Sequence, residues 1–307
     1  MVMLFFSMSY SIRHSASFAM SIVLDKSSPW VKTFSKSGND TQYPPNSLGS
    51  KIAGYEYLAK EYGIKLVDLK NAPARTLKHS GIEMQIAEAA LDADFLINVP
   101  VLKAHCQTKL TCCMKNLKGC IPEKEMRRFH TLGLHKPIAA LTALLPVHYC
   151  VVDGICGDLS FEEGGSPVQA NRIIAGRDSI MMDSYCAGII GYRPEDIGYL
   201  AGQVRTPKPE QVVELSPARN SQQKSARLSE RYSSSIDEDG ACSVCYAALV
   251  YALHRSRSSK KCCIGQGFVG KTGDANIKML GIGSCTAGFK EHVAGCPPRA
   301  VDIIEAL

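Results

Sequence analysis

The sequence has few aromatic residues and only a mild excess of positive charge. One of its 307 residues is Trp, aromatic residues make up 7%, and the formal net charge is +6. The basic residues occur in short groups, such as the one at 124–128, that are not interleaved with aromatic side chains. Because a nucleic-acid surface usually combines a basic stripe with aromatic stacking platforms, we expect no nucleic-acid partner. The positive balance remains compatible with anionic small ligands or with an acidic partner protein.

Segments of membrane-spanning length and nucleotide-binding loops are also missing from the sequence. The apolar block at residues 1–6 is too short for a transmembrane helix, and no convincing cleavage site follows it. We therefore expect no membrane partner and an irregular or truncated start of the first domain, with a weak signal peptide as the alternative. No Gly-x-Gly-x-x-Gly follows a predicted strand and there is no Walker-type loop, so the sequence argues against a nucleotide cofactor.

Cysteine, in contrast, is abundant. The chain has 13 cysteines, an odd number, and two pairs of them are adjacent in sequence: Cys112 with Cys113, and Cys262 with Cys263. A chain of this length does not need disulfides to stabilise its core, and adjacent pairs fit a disulfide framework poorly. The composition therefore favours reduced thiols, some of them on metal, and a cytoplasmic location.

Strand and helix patterns alternate along the first two thirds of the chain. Apolar alternation or continuous apolar runs predict strands at 64–69, 94–101, 149–154 and 172–176, and helical spacing predicts helices at 51–62, 82–91, 138–145 and 179–190. Such alternation predicts an α/β fold, with a mainly parallel sheet and helices on both faces. We expect an α/β domain at 1–205, a Pro- and Ser-rich linker at 206–240, and a small Gly- and Cys-rich metal-binding unit at 241–307.

Four cysteines of the C-terminal region have the character of iron–sulfur ligands. Cys242 and Cys245 form C-x-x-C at the start of a predicted helix, and Cys285 and Cys296 stand in Gly-rich turns. Thiolates suit iron–sulfur clusters and zinc. A C-x-x-C at a helix start lets two sulfurs and backbone N–H groups converge on one anionic cluster, and glycine lets the backbone approach it closely. We therefore predict one iron–sulfur cluster, of the 4Fe-4S type, on these four cysteines.

Three alternatives for this cysteine set remain open from the sequence alone. Zinc is the main competitor, although zinc sites usually have two close pairs of ligands and the second half here consists of two single cysteines. The C-x-x-C could also stand by chance in the same chain as two buried free cysteines. Finally, Cys262 or Cys263 could replace one of the four ligands.

A second group of polar residues follows the strand predicted at 94–101. Lys103 and His105 come directly after it, and Lys115 and Asn116 follow a few residues later. Ligands of parallel sheets bind beyond the carboxyl ends of the strands. These side chains could therefore hold a phosphate or carboxylate, while His105 transfers protons near neutral pH. Residue types alone also fit a solvated basic loop with a capping histidine.

Three aspartates complete the candidate set. Asp153 lies at the end of the strand predicted at 149–154, and Asp178 and Asp183 flank a Ser-Ile-Met-Met segment. Asp178 also fits an ordinary helix N-cap, and a buried Asp183 could simply accept hydrogen bonds from backbone N–H groups.

Four segments carry a resemblance to a known family. Residues 93–105, 114–119, 152–154 and 178–183, in this order, resemble the family called domain of unknown function 362, over about residues 50–200. Its members are often described as uncharacterised iron–sulfur-centre proteins. The resemblance implies functional roles for seven residues: Lys103, His105, Lys115, Asn116, Asp153, Asp178 and Asp183. Many members carry the run C-x-x-C-x-x-C-x-x-x-C-P, from which the split cysteine set departs, and the family's amino-terminal strand with its Lys-Pro-Asn-like segment is not visible.

Together these residues predict an iron–sulfur oxidoreductase. In this hypothesis the lysines bind an anionic small molecule, His105 transfers protons, and the carboxylates position the ligand or a second metal. The cluster exchanges single electrons with a partner protein. A non-catalytic carrier or docking module and a zinc-stabilised binding module are the alternatives.

Overall fold

The computed structural model describes residues 20–24, 33–34, 55–62, 67–158, 167–213, 228–272 and 279–307. The strands are β1 (Met20–Leu24), β2 (Thr33–Phe34), β3 (Ala74–His79), β4 (Ile82–Ala87), β5 (Phe95–Val99), β6 (Lys103–His105), β7 (Lys109–Thr111), β8 (Val147–Asp158), β9 (Pro167–Gly176), β10 (Ile236–Glu238), β11 (Cys262–Ile264), β12 (Leu280–Ile282) and β13 (His292–Val293). The α-helices are α1 (Tyr55–Glu61), α2 (Glu88–Leu91), α3 (Cys113–Asn116), α4 (Glu123–Thr131), α5 (His135–Leu144), α6 (Ser179–Ile189), α7 (Leu228–Tyr232), α8 (Ser243–Ser256) and α9 (Ala300–Ala306).

The largest sheet has five strands in the order β2-β1-β5-β8-β9. Of the pairs described, β5 and β8 are parallel, whereas β1 with β2, β1 with β5, and β8 with β9 are antiparallel. The fold is therefore α/β with mixed sheets, and the prediction of a mainly parallel sheet is wrong for this part of the chain. The physical reason lies in the connection at 159–166, which is shorter than the roughly dozen residues that a parallel crossover needs.

The main core lies on one face of this sheet. Leu96, Cys150 and Val152 point to that face and are fully buried, together with residues of α3, α5 and α6. The opposite face contributes a small separate cluster around Ile97 and Val151. The sequence pattern predicts helices on both faces of the sheet. The described helices instead pack mainly on one face.

The segment predicted as a helix at 82–91 forms a strand and a single helical turn instead. β3 and β4 pair antiparallel and leave Ser80-Gly81 as a two-residue loop. Both loop residues have positive φ, 49° and 80°, as a type I′ hairpin turn requires. Met84 and Ile86 are buried, and their alternation is the spacing of a strand.

Two other predicted elements lie near the start of the described chain. The helix predicted at 51–62 is present as α1, from Tyr55 to Glu61. Residues 67–69 of the strand predicted at 64–69 belong to no strand, and 64–66 lie outside the described residues. The strands predicted at 94–101, 149–154 and 172–176 are confirmed as β5, β8 and β9.

The second unit begins at α7 and contains a four-stranded sheet in the order β10-β11-β12-β13, in which every pair is parallel. α8 packs Tyr246, Leu249, Val250 and Leu253, which lie at helical spacing, into a core with β11, β12 and α9. α7 and β10 fall within the stretch predicted as linker, so this unit starts before residue 240. Among the described helices the longest is α8, with 14 residues, and none has the length and apolar character of a bilayer span.

Candidate functional site

The four predicted cluster cysteines follow strands at one edge of the parallel sheet. Cys242 is the N-cap residue of α8, just after β10, and Cys245 lies in the first turn of that helix. Cys285 lies in a short 3-10 helix just after β12, and Cys296 follows β13 by three residues. Because the carboxyl ends of parallel strands meet at the same edge of a sheet, this topology brings together cysteines that are far apart in sequence.

The thiols of this edge influence one another electrostatically. Burial, together with the neighbouring thiols of Cys242, Cys296 and Cys285, raises the pKa of Cys245 to about 12. Burial also raises the pKa of Cys242, with further contributions from Cys285 and Cys296. Four thiolates that influence one another in this way would repel each other, and a bound cation would stabilise their deprotonated form. This donor set fits a soft metal centre.

Glycines shape the turns that carry Cys285 and Cys296. Gly283 and Gly295 have positive φ, 84° and 126°, which residues with a side chain rarely adopt. A Cβ at position 295 would also lie 2.6 Å from the backbone of the proline pair that follows. The backbone N–H of Ser284 donates to the carbonyl of Gly295 at 2.9 Å, which holds the two turns side by side.

The remaining strand of the sheet, β11, contributes a residue that the sequence analysis missed. Gln266 follows β11, and its Nε2 lies 3.9 Å from Sγ of Cys242 and 3.3 Å from the carbonyl oxygen of Gly240. An amide donor beside a cysteine sulfur favours the thiolate form. The only signal in the sequence is the pattern Gly-Gln-Gly at 265–267, which by itself indicates a turn.

The adjacent cysteines Cys262 and Cys263 lie within β11 and are fully buried. Their thiols donate to the backbone carbonyls of Lys260 at 3.6 Å and Leu280 at 3.9 Å, respectively. The structure therefore places both of them in the strand itself, before the edge where the other four cysteines stand.

The described residues before α7 are called the first unit. In this unit Lys103 begins and His105 ends β6, which forms a hairpin with β7. The His105 side chain is 2% exposed, and its Nδ1 accepts the N–H groups of Gln107 and Thr108, both at 3.1 Å. Nδ1 is thus the acceptor nitrogen, and we assign the proton of the neutral imidazole to Nε2. The histidine thereby orders the loop that follows it.

This loop, at residues 106–108, contacts the segment of the second unit that carries Cys242. Gln107 Nε2 donates to the carbonyl of Ala241 at 3.1 Å, and Ser243 Oγ donates to Gln107 Oε1 at 2.8 Å. The thiol of Cys106 lies 3.8 Å from the carbonyl oxygen of Ser243. The β6–β7 hairpin is therefore in direct contact with the start of α8.

A cavity of about 260 Å³ lies beside this contact. Its walls include Lys109, His130 and His135 from the first unit and Glu230 and Tyr246 from the second. Lys109 and Glu230 form an ion pair at 3.0 Å across it. The cavity thus lies where the two units meet, and both contribute charged or polar side chains to it.

The two histidines of the cavity are held neutral. Burial is the main reason why the pKa of His130 is lowered to about 2, and electrostatic interactions with Lys118, His105 and Lys115 lower it further. Burial and Lys109 likewise lower the pKa of His135. Neither Nδ1 atom has a hydrogen-bond partner among the described residues, and both atoms are buried.

Lys118 influences both the cavity and the cysteine edge, which is the sheet edge that carries Cys242, Cys245, Cys285 and Cys296. Its charge lowers the pKa of His130. Burial raises the pKa of Cys242, and the charges of Arg127 and Lys118 counteract that rise. A single lysine therefore lies within electrostatic range of the two candidate sites, which makes them neighbours.

Lys115 and Asn116 of the predicted set both lie in α3 and have partners inside the first unit. Lys115 Nζ donates to Oγ1 of Thr111 at 3.2 Å. Asn116 is 3% exposed, and its Nδ2 donates to Oδ1 of Asn98 at 2.6 Å. Lys115 contributes charge to the surroundings of His130, whereas Asn116 joins α3 to β5.

Asp153 and Asp178 have local structural partners. The Asp153 carboxylate accepts the N–H of Ile155 at 3.0 Å. Asp178 is the N-cap of α6: it accepts the N–H groups of Ile180 and Met181 at 2.9 and 3.1 Å. Although burial opposes it, an ion pair with Arg205 and these hydrogen bonds lower the pKa of Asp178. The capping alternative stated for Asp178 is confirmed.

Asp183 lies in the interior beside buried cysteines. It is 0% exposed and accepts hydrogen bonds from the N–H groups of Cys113 at 2.6 Å and Met114 at 3.2 Å, and from the hydroxyl of Tyr199 at 3.2 Å. Its carboxylate and the thiols of Cys112 and Cys113 lie within 4.8 Å of one another, a spacing that could hold a metal ion. All thirteen cysteines are free thiols, so the prediction against a disulfide framework agrees with the structure.

Comparison with known proteins adds a family and a distant relative. The family described as Domain of unknown function (DUF362) matches residues 33–188, just over half of the chain. A curated relative, described as a thylakoid-associated protein of Synechocystis sp., is 26% identical over 163 residues, which cover 50% of this chain and 50% of that protein. The chain thus spans about half the length of this relative. The family match includes Lys103, His105 and Asp183 but ends before the second unit. The chain belongs to the family of domain of unknown function 362.

Proposed function

We propose that the chain is an iron–sulfur redox protein. In this proposal Cys242, Cys245, Cys285 and Cys296 hold a cluster of the 4Fe-4S type, and single-electron transfer is coupled to an anionic small molecule bound at the cavity. The observation that carries the proposal is the position of all four cysteines at the carboxyl edge of one parallel sheet.

The spacing of the cysteines along the chain favours a cluster over a single zinc ion, because zinc sites usually have two close pairs of ligands and only Cys242 and Cys245 form such a pair. With a Zn–S distance of about 2.3 Å, tetrahedral ligands lie about 3.8 Å apart. Among the described residues, the one group of three or more ligand atoms within 4.8 Å is Cys112, Cys113 and Asp183, and it includes none of the four edge cysteines. A cluster of several iron and sulfide ions is wider than one ion, so its ligand sulfurs stand further apart.

The neighbouring cavity supports a site for an anion and for proton transfer. Lys109 and the carboxylates of Glu230 and Glu238 line it, with Lys109 paired to Glu230. Lys118 adds positive charge near His130, and the imidazoles of His130 and His135 are neutral. Neutral imidazoles can accept or donate protons when the charge of a nearby centre changes. The exposed Cys296 leaves the opposite side of the cysteine edge open to an electron-transfer partner.

Protein purified without oxygen is expected to be brown and to contain about four iron and four sulfide ions per chain. Cys242→Ser and Cys296→Ser are each expected to abolish the visible absorption and the electron paramagnetic resonance signal of the reduced protein, because a serine is a poor cluster ligand. Iron, sulfide and zinc assays accompany the spectra. Cys156→Ser, which changes an exposed cysteine of β8, is the matched control and should keep the cluster.

A colourless protein with one zinc ion, or one that takes up no iron during anaerobic reconstitution, would contradict the proposal. A zinc-stabilised binding module would then be the better description in the first case. Loss of colour in Cys156→Ser as well as in the edge variants would show general thiol damage instead of a specific site.

Inorganic phosphate is a suitable probe of the anion site. Millimolar phosphate is expected to raise the thermal unfolding midpoint of the intact protein by at least about 2 °C. Lys118→Ala should remove most of this shift, because the lysine supplies positive charge to the cavity, whereas Lys136→Ala, on the exposed face of α5, should retain it. Equal shifts in both variants would place phosphate elsewhere on the protein.

A further inference from the structure

The interior of the first unit contains a second group of metal-ligating side chains, which includes none of the four edge cysteines. Cys112 and Cys113 stand at the start of α3, and Asp183 and Cys186 lie three residues apart on the facing helix α6. Residues three apart on a helix share a face. The Cys112 thiol interacts with those of Cys113 and Cys186, and the Cys113 thiol also interacts with that of Cys150 on β8. Two close pairs of ligands on two packed elements are the usual construction of a zinc site.

We propose that Cys112, Cys113, Asp183 and Cys186 form a buried structural zinc site with three sulfur ligands and one oxygen ligand. The Sγ atoms of Cys112 and Cys113 lie 3.9 Å apart, close to the roughly 3.8 Å expected for two sulfurs on one tetrahedral zinc ion. The carboxylate of Asp183 lies within 4.8 Å of both sulfurs, whereas the thiol of Cys186 is outside this group of three and would have to approach the ion when it binds.

The surroundings of these residues also match a metal site. Zinc-bound carboxylates are usually oriented by further hydrogen bonds, and Asp183 accepts three of them, two from the backbone of α3 and one from Tyr199. All four side chains are buried in the main core. An ionised carboxylate in such a core is unfavourable without a cation, and zinc would supply one.

The choice of zinc follows from the mixed ligand set. Copper(I) prefers sulfur ligands only, and calcium or magnesium prefers oxygen ligands only. Zinc accepts both thiolate and carboxylate. Because none of the ligands is exposed, the ion would enter before the first unit closes, so metal binding and folding would be coupled.

The test uses the full-length chain with Cys242, Cys245, Cys285 and Cys296 all changed to serine, so that the proposed cluster cannot contribute. After unfolding in chelator and refolding with zinc alone, this protein is expected to retain about one zinc ion per chain after gel filtration. Adding Cys186→Ser should lower the retained zinc at least tenfold. Adding Cys120→Ser, which changes a buried cysteine outside the group, should leave it unchanged.

A second measurement needs no change in the core. X-ray absorption of the zinc-loaded protein should show three sulfur atoms at about 2.3 Å and one oxygen atom at about 2.0–2.2 Å. Absence of retained zinc, zinc retained equally after Cys186→Ser, or a ligand shell of oxygen and nitrogen only would overturn the proposal. None of these outcomes bears on the iron–sulfur cluster, which is tested in the unsubstituted chain.

Discussion

Gly265→Ala is expected to destabilise the second unit by about 3 kcal/mol or more, an effect as large as those of severe core substitutions. Gly265 has a φ of 128°, and a Cβ at this position would collide with the carbonyl group of Asp239 and lie 2.8 Å from the backbone nitrogen of Ala241. The collision is between backbone segments, so no change of rotamer relieves it. The displaced segment leads directly into Cys242, so iron incorporation should also fall.

Gly270→Ala is the matched control for this prediction. Gly270 also has a positive φ, 76°, but a Cβ there would have no neighbour within 4 Å. It should therefore show only the conformational penalty of a left-handed residue, about 1–2 kcal/mol. The free energies of unfolding come from urea titrations followed by circular dichroism, with iron content measured in parallel. Similar free energies of unfolding for the two variants would show that the collision with Asp239 does not contribute to the destabilisation.

Acidification is expected to destabilise the protein through His130. Its pKa falls from 6.5 to about 2 on folding, chiefly by burial. Below about pH 6.5 the unfolded chain therefore binds a proton at this residue that the folded chain does not. The free energy of unfolding should decrease by about 1.4 kcal/mol for each pH unit below that value. This contribution is absent at neutral pH, where His130 is neutral in both states.

The variant His130→Gln is expected to remove this part of the pH dependence. Its free energy of unfolding should decrease less steeply than that of the unsubstituted chain between about pH 6.5 and 5. Urea titrations at several pH values across this interval measure the difference in slope. His79→Gln, on the exposed side of β3, is the control. Parallel pH profiles for the chain with and without His130 would contradict a buried neutral imidazole.

Local patterns in the sequence predict much of the central fold. The apolar runs that become β5 and β8 are continuous, and Asp178 signals the start of α6 by its ability to accept N–H groups. The sequence predicts the direction of each strand less well, because a strand with a parallel partner and one with an antiparallel partner show the same alternation of side chains. The sequence thus indicates that β8 and β9 are strands, but only the short connection between them indicates that they are antiparallel.

The same distinction between local sequence signals and long-range packing applies to the candidate sites. The C-x-x-C at 242–245 is a local signal, and it directs attention to Cys285 and Cys296 through their glycines. The buried group of Cys112, Cys113 and Asp183 has no such signal, because a distance of 70 residues separates its two parts and only the packing of α3 on α6 joins them. His130 becomes a candidate only when the two units are seen in contact, and Gln266 only when β11 is seen beside the start of α8.

The order of strands in the second sheet gives the cysteine edge two unlike ends. At the β10 end, Cys242 stands next to the hairpin of the first unit and within range of Lys118; at the β13 end, Cys296 is exposed. A one-electron carrier built on this edge would have one side against the first unit and the other side exposed to solvent. Its donor and its acceptor would then not compete for one surface, because the order of four short strands places the two sides of the carrier apart.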